Sequence, residues 1–285
     1  MPDLIHLAIP GFILLLVAEA VFSAVNNREI YEAKDTAASL SMGIGNVVLN
    51  LGMKAAVLTA YIFVYQFRLF EISSIWWAWV LLFFLEDLTY YIFHRISHEC
   101  RFFWASHVIH HSSQKYNLST ALRQTWTGVF TGFIFWLWLP LLGFHPAMVM
   151  TMQAISLIYQ FWIHTETIGK LGPLGWVFNT PSHHRVHHAR NPRYLDRNHA
   201  GILIIWDRLF GTFVKENEKP VYGITKNINS FNPLRIATHE WRDMALDLSI
   251  SKSWQEKMHC VFGPPGWRPD GKGKTAKEIR LESVS

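Results

Sequence analysis

Five apolar runs long enough to cross a bilayer alternate with polar stretches in the first part of the chain. They lie at about Leu4–Val25, Leu40–Tyr65, Ile75–Phe93, Thr125–Leu142 and Ala147–Ile163. The first occupies the position of a signal peptide. However, Glu19 interrupts it, no basic residue precedes it, and Asn26-Asn27-Arg28 makes a poor cleavage site, so it reads as a retained span. Gly52 and Lys54 weaken the second run, and the fifth is at the lower length limit for crossing. The expected fold is an all-α membrane bundle of four to five spans. A cytosolic cap follows from roughly Gly169 to Pro269, punctuated by turn signals at Gly172-Pro173, Asn191-Pro192 and Gly263-Pro264-Pro265-Gly266. The expected division is N-terminal spans at 1–75, a catalytic unit of helices plus cap at 76–269, and a charged, loosely attached tail at 270–285.

Basic residues give this topology a direction. Five crossings would leave residues 26–39, residues 94–124 and everything after His164 on one side, and 24 of the 26 Lys and Arg residues fall there. The positive-inside rule places that side in the cytoplasm. A positive mean hydropathy of +0.13 with a pI near 9.2 fits a membrane protein with basic ends better than a nucleic-acid binder. Cys100 and Cys260 have no C-x-x-C spacing, which argues against a thiolate zinc site or a disulfide scaffold.

Histidine spacing carries the chemistry. Of 15 histidines, eight fall into three groups: His94 and His98; His107, His110 and His111; His184, His187 and His188. Positions i, i+3 and i+4 share one helix face, so each group can aim its imidazoles at one point. A lone histidine in an apolar stretch is ordinarily a hydrogen-bonded core residue, and for most of the others, His199 among them, that reading stands. It does not account for clustering at repeated helical spacing. Eight imidazoles exceed the needs of one metal ion and fit a pair with open positions. All three groups fall on the basic side of the membrane. Asp87, Tyr91, His94 and His98 form one stripe leading out of the third run, which makes Asp87 a candidate to orient a ligating histidine. Imidazole ligands suit zinc, copper, iron or nickel. An iron pair with open positions activates dioxygen, and a membrane-surface site implies an apolar substrate. The reading from spacing is a membrane di-iron oxygenase, with metal transport as the alternative from another class.

The three groups resemble the histidine boxes of the fatty acid hydroxylase and sterol desaturase superfamily. Longer runs are similar to its alkylglycerol monooxygenase branch: His94–Glu99, His110–Ser113, Tyr116–Gln124, Gln160–Glu166, Asn179–His188, Ile204–Phe213 and Gly266-Trp267. The resemblance covers the chain from about Asp87 to Trp267. It implies O2-dependent hydroxylation of the ether-linked carbon of an alkylglycerol, giving a hemiacetal that breaks down to fatty aldehyde and glycerol, with tetrahydrobiopterin as electron donor. It also implies that the eight box histidines bind two iron ions, that Glu99 supports the site, that His164 supplies a further ligand and that His183 stands just behind the ligands. A fatty acid hydroxylase or sterol desaturase fed by a redox protein is the alternative within the superfamily. No His-Pro-Gly-Gly haem motif or G-x-G-x-x-G run is present, so electrons must come from a pterin or a redox partner. The expected location is a bacterial inner membrane or the endoplasmic reticulum, with the site facing the cytoplasm.

Overall fold

A computed structural model describes residues 4–283, so residues 1–3 of the expected N-terminal unit and 284–285 of the expected tail lie outside the described residues. The described residues are helical, with two isolated β-bridges, Phe178 with Leu203 and Ala189 with Tyr222, and no strand ladder.

Two long helices come first, α1 (Leu4–Val25) and α2 (Ala33–Tyr65). Among the described residues these two are long and apolar enough to cross a membrane. Their apolar side chains are mostly exposed, Leu14 and Val48 among them. A helix that is apolar all round must be covered by protein or by lipid. Helix α2 begins seven residues before the apolar run because Glu32 caps it, accepting from the backbone N–H groups of Lys34 and Asp35 at 3.1 and 2.8 Å. Its first turns bury polar side chains. Asp35 pairs with Arg123 at 3.0 Å and accepts from Ser113, tying α2 to the segment after the second histidine group.

The third run becomes α3 (Trp76–Glu99), which continues through the first histidine group, and α4 (Arg101–His111) carries the second. Asn117 then caps the short α5 (Leu118–Ala121) through a reciprocal capping box with Thr120. The fourth run is not one helix. It breaks into α6 (Gly128–Gly132), a 3₁₀ turn over Phe133–Trp136 and α7 (Trp138–Leu142). Glycine at both ends of α6 and Pro140 within α7 weaken a continuous α-helical ladder. The fifth run is α8 (Pro146–Trp162). Gly143 joins α7 to α8 at φ +128°, where a Cβ would lie 2.2 Å from the carbonyl oxygen of Phe70. The backbone N–H of Leu69 also donates to the carbonyl of Leu141 at 2.8 Å. The end of α2, the start of α3 and the α7–α8 turn therefore share one pole, and α3 carries the first histidine group at its far end.

Tyr61, Leu82, Trp136, Leu139, Phe144 and Val149 form the core between α2, α3, the broken segment and α8. The rest of the chain adds α9 (Pro181–His187), α10 (Ile205–Leu209), α11 (Pro233–Ile250), α12 (Trp254–Phe262) and α13 (Ala276–Glu282). The segment expected as a loose tail instead contains α13, capped by Thr275 and Glu278. Arg280 fastens it by donating to the carbonyl of Leu195 at 2.8 Å.

Candidate metal centre

Nine histidines from four segments meet in the interior. Helix α3 supplies His94 and His98, α4 supplies His107, His110 and His111, and α9 with its C-cap supplies His184, His187 and His188. His164 joins them from just beyond the end of α8. They divide into two groups, His94, His98, His107, His111 and His187 in one and His110, His164, His184 and His188 in the other. Within each group one ligand atom per residue lies within 4.8 Å of all the others.

The contacts fit a cation. The Nε2 atoms of His94 and His107 are 3.0 Å apart, as are those of His107 and His111 and those of His164 and His184. Carbonyl groups fix several tautomers: the Nδ1–H of His94 points at the carbonyl of His199 at 2.7 Å, and that of His164 at the carbonyl of Gln160 at 2.7 Å. Nδ1 of His187 faces the carbonyl of Arg197 at 3.0 Å. These bonds leave Nε2 as a lone pair facing inward, as a metal ligand requires. The Nε2 atoms of His98 and His187 are buried with no protein partner. Buried polar atoms are ordinarily satisfied, so their state calls for a ligand that accepts lone pairs.

Electrostatics agree. Burial, reinforced by neighbouring histidines, pushes His107, His110, His111, His184, His187 and His188 well below the usual imidazole range. Burial takes His164 down to about 4. Rings kept neutral at physiological pH are ready to coordinate without first losing a proton.

Asp87 is fully buried but meets no histidine. Its carboxylate accepts from the backbone N–H of Ile202 at 2.8 Å, that of Leu203 at 3.0 Å and Trp206 Nε1 at 2.9 Å. It holds the loop that carries His199, whose carbonyl in turn orients His94. The carboxylate beside a ligand-group nitrogen is that of Asp196, 3.5 Å from His98 Nδ1. Glu99 is paired with Arg95 at 2.9 Å and is half exposed. It stands on the wall of a cavity of about 1000 Å³ that reaches His98, His111, His187 and His188. His183, in the first turn of α9, is buried with Nδ1 3.3 Å from Thr180 Oγ1, within the capping box.

Two residues of this centre were not legible as such. His199 has no exposure, neither ring nitrogen has a protein partner, and its ring centroid lies 5.1 Å from that of His98. It sits in a loop outside any helical period, so spacing could not single it out. Asp207 accepts the backbone N–H groups of His199 and Ala200, each at 2.8 Å, and Thr212 Oγ1 at 2.6 Å. Burial pushes its carboxyl up to about 6. The run Tyr116–Gln124 proves to be a lock, with Arg123 buried against Asp35, Ser39 and Ser112.

The family model described as fatty acid hydroxylase matches residues 79–212, the segment that contains all nine histidines. The chain is 42% identical to alkylglycerol monooxygenase of Homo sapiens over all of its own length and 66% of that protein's. It is 41% identical to the Danio rerio and 39% identical to the Xenopus tropicalis alkylglycerol monooxygenase, in each case over 94% of this chain and 60% of the relative. The chain thus spans about 60–66% of the length of these relatives. No solved structure matches it. With its histidines gathered at a shared centre inside the matched segment, the chain belongs to the fatty acid hydroxylase family.

Proposed function

We propose that the protein is a membrane di-iron monooxygenase that uses O2 to hydroxylate a lipid, the preferred substrate being an alkylglycerol attacked at its ether-linked carbon. The observation that carries this reading is the division of nine histidines into two groups, each tight enough for one ion. The likeness to alkylglycerol monooxygenases along the whole chain supports the substrate class. Oxidation yields a hemiacetal, which breaks down to fatty aldehyde and glycerol. The reaction consumes two electrons and two protons per O2, with tetrahydrobiopterin as the proposed donor.

His94, His98, His107, His111 and His187 would hold one iron, and His110, His164, His184 and His188 the other. Iron bound there would supply the oxidising power needed to attack the C–H bond beside the ether oxygen. The protein's part is positioning. The carbonyls of His199, Gln160 and Arg197 keep Nδ1 protonated on three ligands and aim Nε2 at the metals. Asp87 and Asp207 clamp the loop that orients His94. Glu99, on the cavity wall, is placed to meet a polar co-reactant. In the membrane α1 and α2 cross, α3 and α8 cross beside them, and the broken segment between α6 and α7 fills the bundle. The histidine pole faces the cytoplasm, where most basic residues lie.

The experiment is a product screen. Membranes containing the protein are supplied with O2 and tetrahydrobiopterin and offered alkylglycerols, fatty acids and sterols, with oxidised lipid read by mass spectrometry. Fatty aldehyde from alkylglycerol, dependent on pterin, is the expected result. Turnover that ignores pterin and follows a protein donor would move the enzyme to the fatty acid hydroxylase or sterol desaturase type.

A further inference from the structure

One exposed apolar surface belongs to the region expected to lie in water. The 3₁₀ turn at Gly172–Trp176 with the residues after it, and the segment around α10, expose Leu174, Trp176, Val177, Phe178, Leu209 and Phe210. Trp176 and Leu209 are each 71% exposed. The two segments form one unit. Ile204 N–H donates to the carbonyl of Val177 at 2.9 Å, Asn179 N–H to that of Ile202 at 2.7 Å, and Arg208 Nη2 to that of Gly175 at 3.0 Å. Apolar patches of this kind on a folded surface mark a protein or membrane contact.

Depth along α3 selects between these. The unit is fastened to α3 through Asp87, which takes the N–H groups of Ile202 and Leu203 and the indole of Trp206. Asp87 is seven residues before His94, about 10 Å of helix rise further into the apolar half of α3. At the same level, on another flank of α3, the apolar segment around α6 and α7 makes its own contacts. Trp136 Nε1 donates to Glu86 at 3.3 Å and Trp138 Nε1 to Thr89 Oγ1 at 3.2 Å. The unit thus stands beside α3 at the height of its apolar neighbours, not above them. Tyr91 stacks on Phe210 with centroids 5.3 Å apart, which extends the apolar face of α3 onto the unit without a break.

We infer that residues 172–178 and 203–210 form a lip that lies in the cytoplasmic leaflet, its partner being the acyl and headgroup boundary of the bilayer. This rests on the reading of α3 as a membrane span. Tryptophan and bulky aliphatic side chains at such a boundary anchor a segment in the interface. The loop behind the lip carries His199 and orients His94, so the lip brings bilayer lipid beside the five-histidine group.

The test uses the full chain with Cys100→Ser and Cys260→Ser, labelled with a fluorophore at one introduced cysteine. It is reconstituted in phosphatidylcholine–phosphatidylglycerol vesicles that contain nitroxide-labelled phosphatidylcholine. Probes at Leu209→Cys and, independently, Trp176→Cys should lose most of their emission to the nitroxide lipid and little to aqueous iodide. A probe at Leu14→Cys on α1 should behave the same way, and one at Lys277→Cys on α13 the opposite way. Iodide quenching at both lip positions, with Leu14→Cys still quenched by lipid, overturns the lip and leaves the membrane reading standing. Protection from both quenchers would mean that protein, such as a second copy, covers the patch, and it also overturns the proposal. Loss of lipid quenching at Leu14→Cys as well would sink the membrane reading and the lip together.

Discussion

The two histidine groups are built from the same residue type, yet their surroundings differ. The five-histidine group borders the large cavity through His98, His111 and His187, and has Asp196 and the unpartnered His199 beside it. The four-histidine group reaches that cavity only through His188, whose ring is tilted against Tyr116 at 5.1 Å, and Tyr116 in turn stacks on Tyr222 at 4.7 Å. Shared ligand chemistry therefore does not imply shared access to the cavity. The open group would then meet a polar co-reactant, and the closed one would serve mainly to hold its metal.

The sharpest way to break this comparison is to remove one ligand from each group. His187→Ala and His110→Ala should each lower turnover by well over about 100-fold, beyond the loss typical of outer partners. Each should also lower bound iron, by metal analysis, while circular dichroism stays helical. Full iron in either variant would remove that residue from the ligand set. Asp87→Ala comes next. It strands three buried donors, at a cost on the order of 3 kcal/mol or more, read as a lower thermal midpoint in detergent. If the loop bearing His199 orients the open group, its iron affinity should fall too, with the closed group's iron retained.

Acid provides a third handle. Burial holds most of the histidine pKa values in the folded protein below the unfolded value of about 6.5. As pH falls below that value, the unfolded chain takes up protons that the folded one refuses, so iron-free protein loses stability. Above it the contribution is flat. Thermal midpoints of iron-free protein from pH 8 to pH 5 should stay level and then drop, and a level profile throughout would contradict neutral burial. The smallest effect is expected for His199→Phe. With no protein partner to lose, iron-free stability should change by no more than about 1 kcal/mol, whereas turnover should fall if this ring meets something bound at the open group.

How far these differences could be read in advance depends on the kind of residue. The ligand candidates on α3, α4 and α9 were legible because i, i+3 and i+4 spacing is a local property of a helix. His164 follows the end of α8 alone, and only a resemblance over Gln160–Glu166 pointed to it. His199, Asp196 and Asp207 are brought to the centre by a loop whose path depends on left-handed residues, Asp196 at φ 50° and Asn198 at φ 56°. No periodicity encodes that path. Hydropathy located the ends of α1 and α8 well but read Thr125–Leu142 as one element, because an apolar average does not register Gly132 or Pro140. It also missed the polar first turns of α2, where Asp35 is buried against Arg123 rather than solvated. Asp87 was legible as important, being ionisable in an apolar helix, but its partner was not. Its oxygens meet backbone amides more than a hundred positions away.

Both histidine groups are proposed to hold iron. Metal analysis of the purified full chain after chelator washing, with Mössbauer spectroscopy on enriched protein, tests it most directly. The expected result is two tightly held irons per chain, one for each group, with the spectrum of a pair in unequal surroundings. A single ion per chain, or a loosely held metal of variable identity, would contradict it.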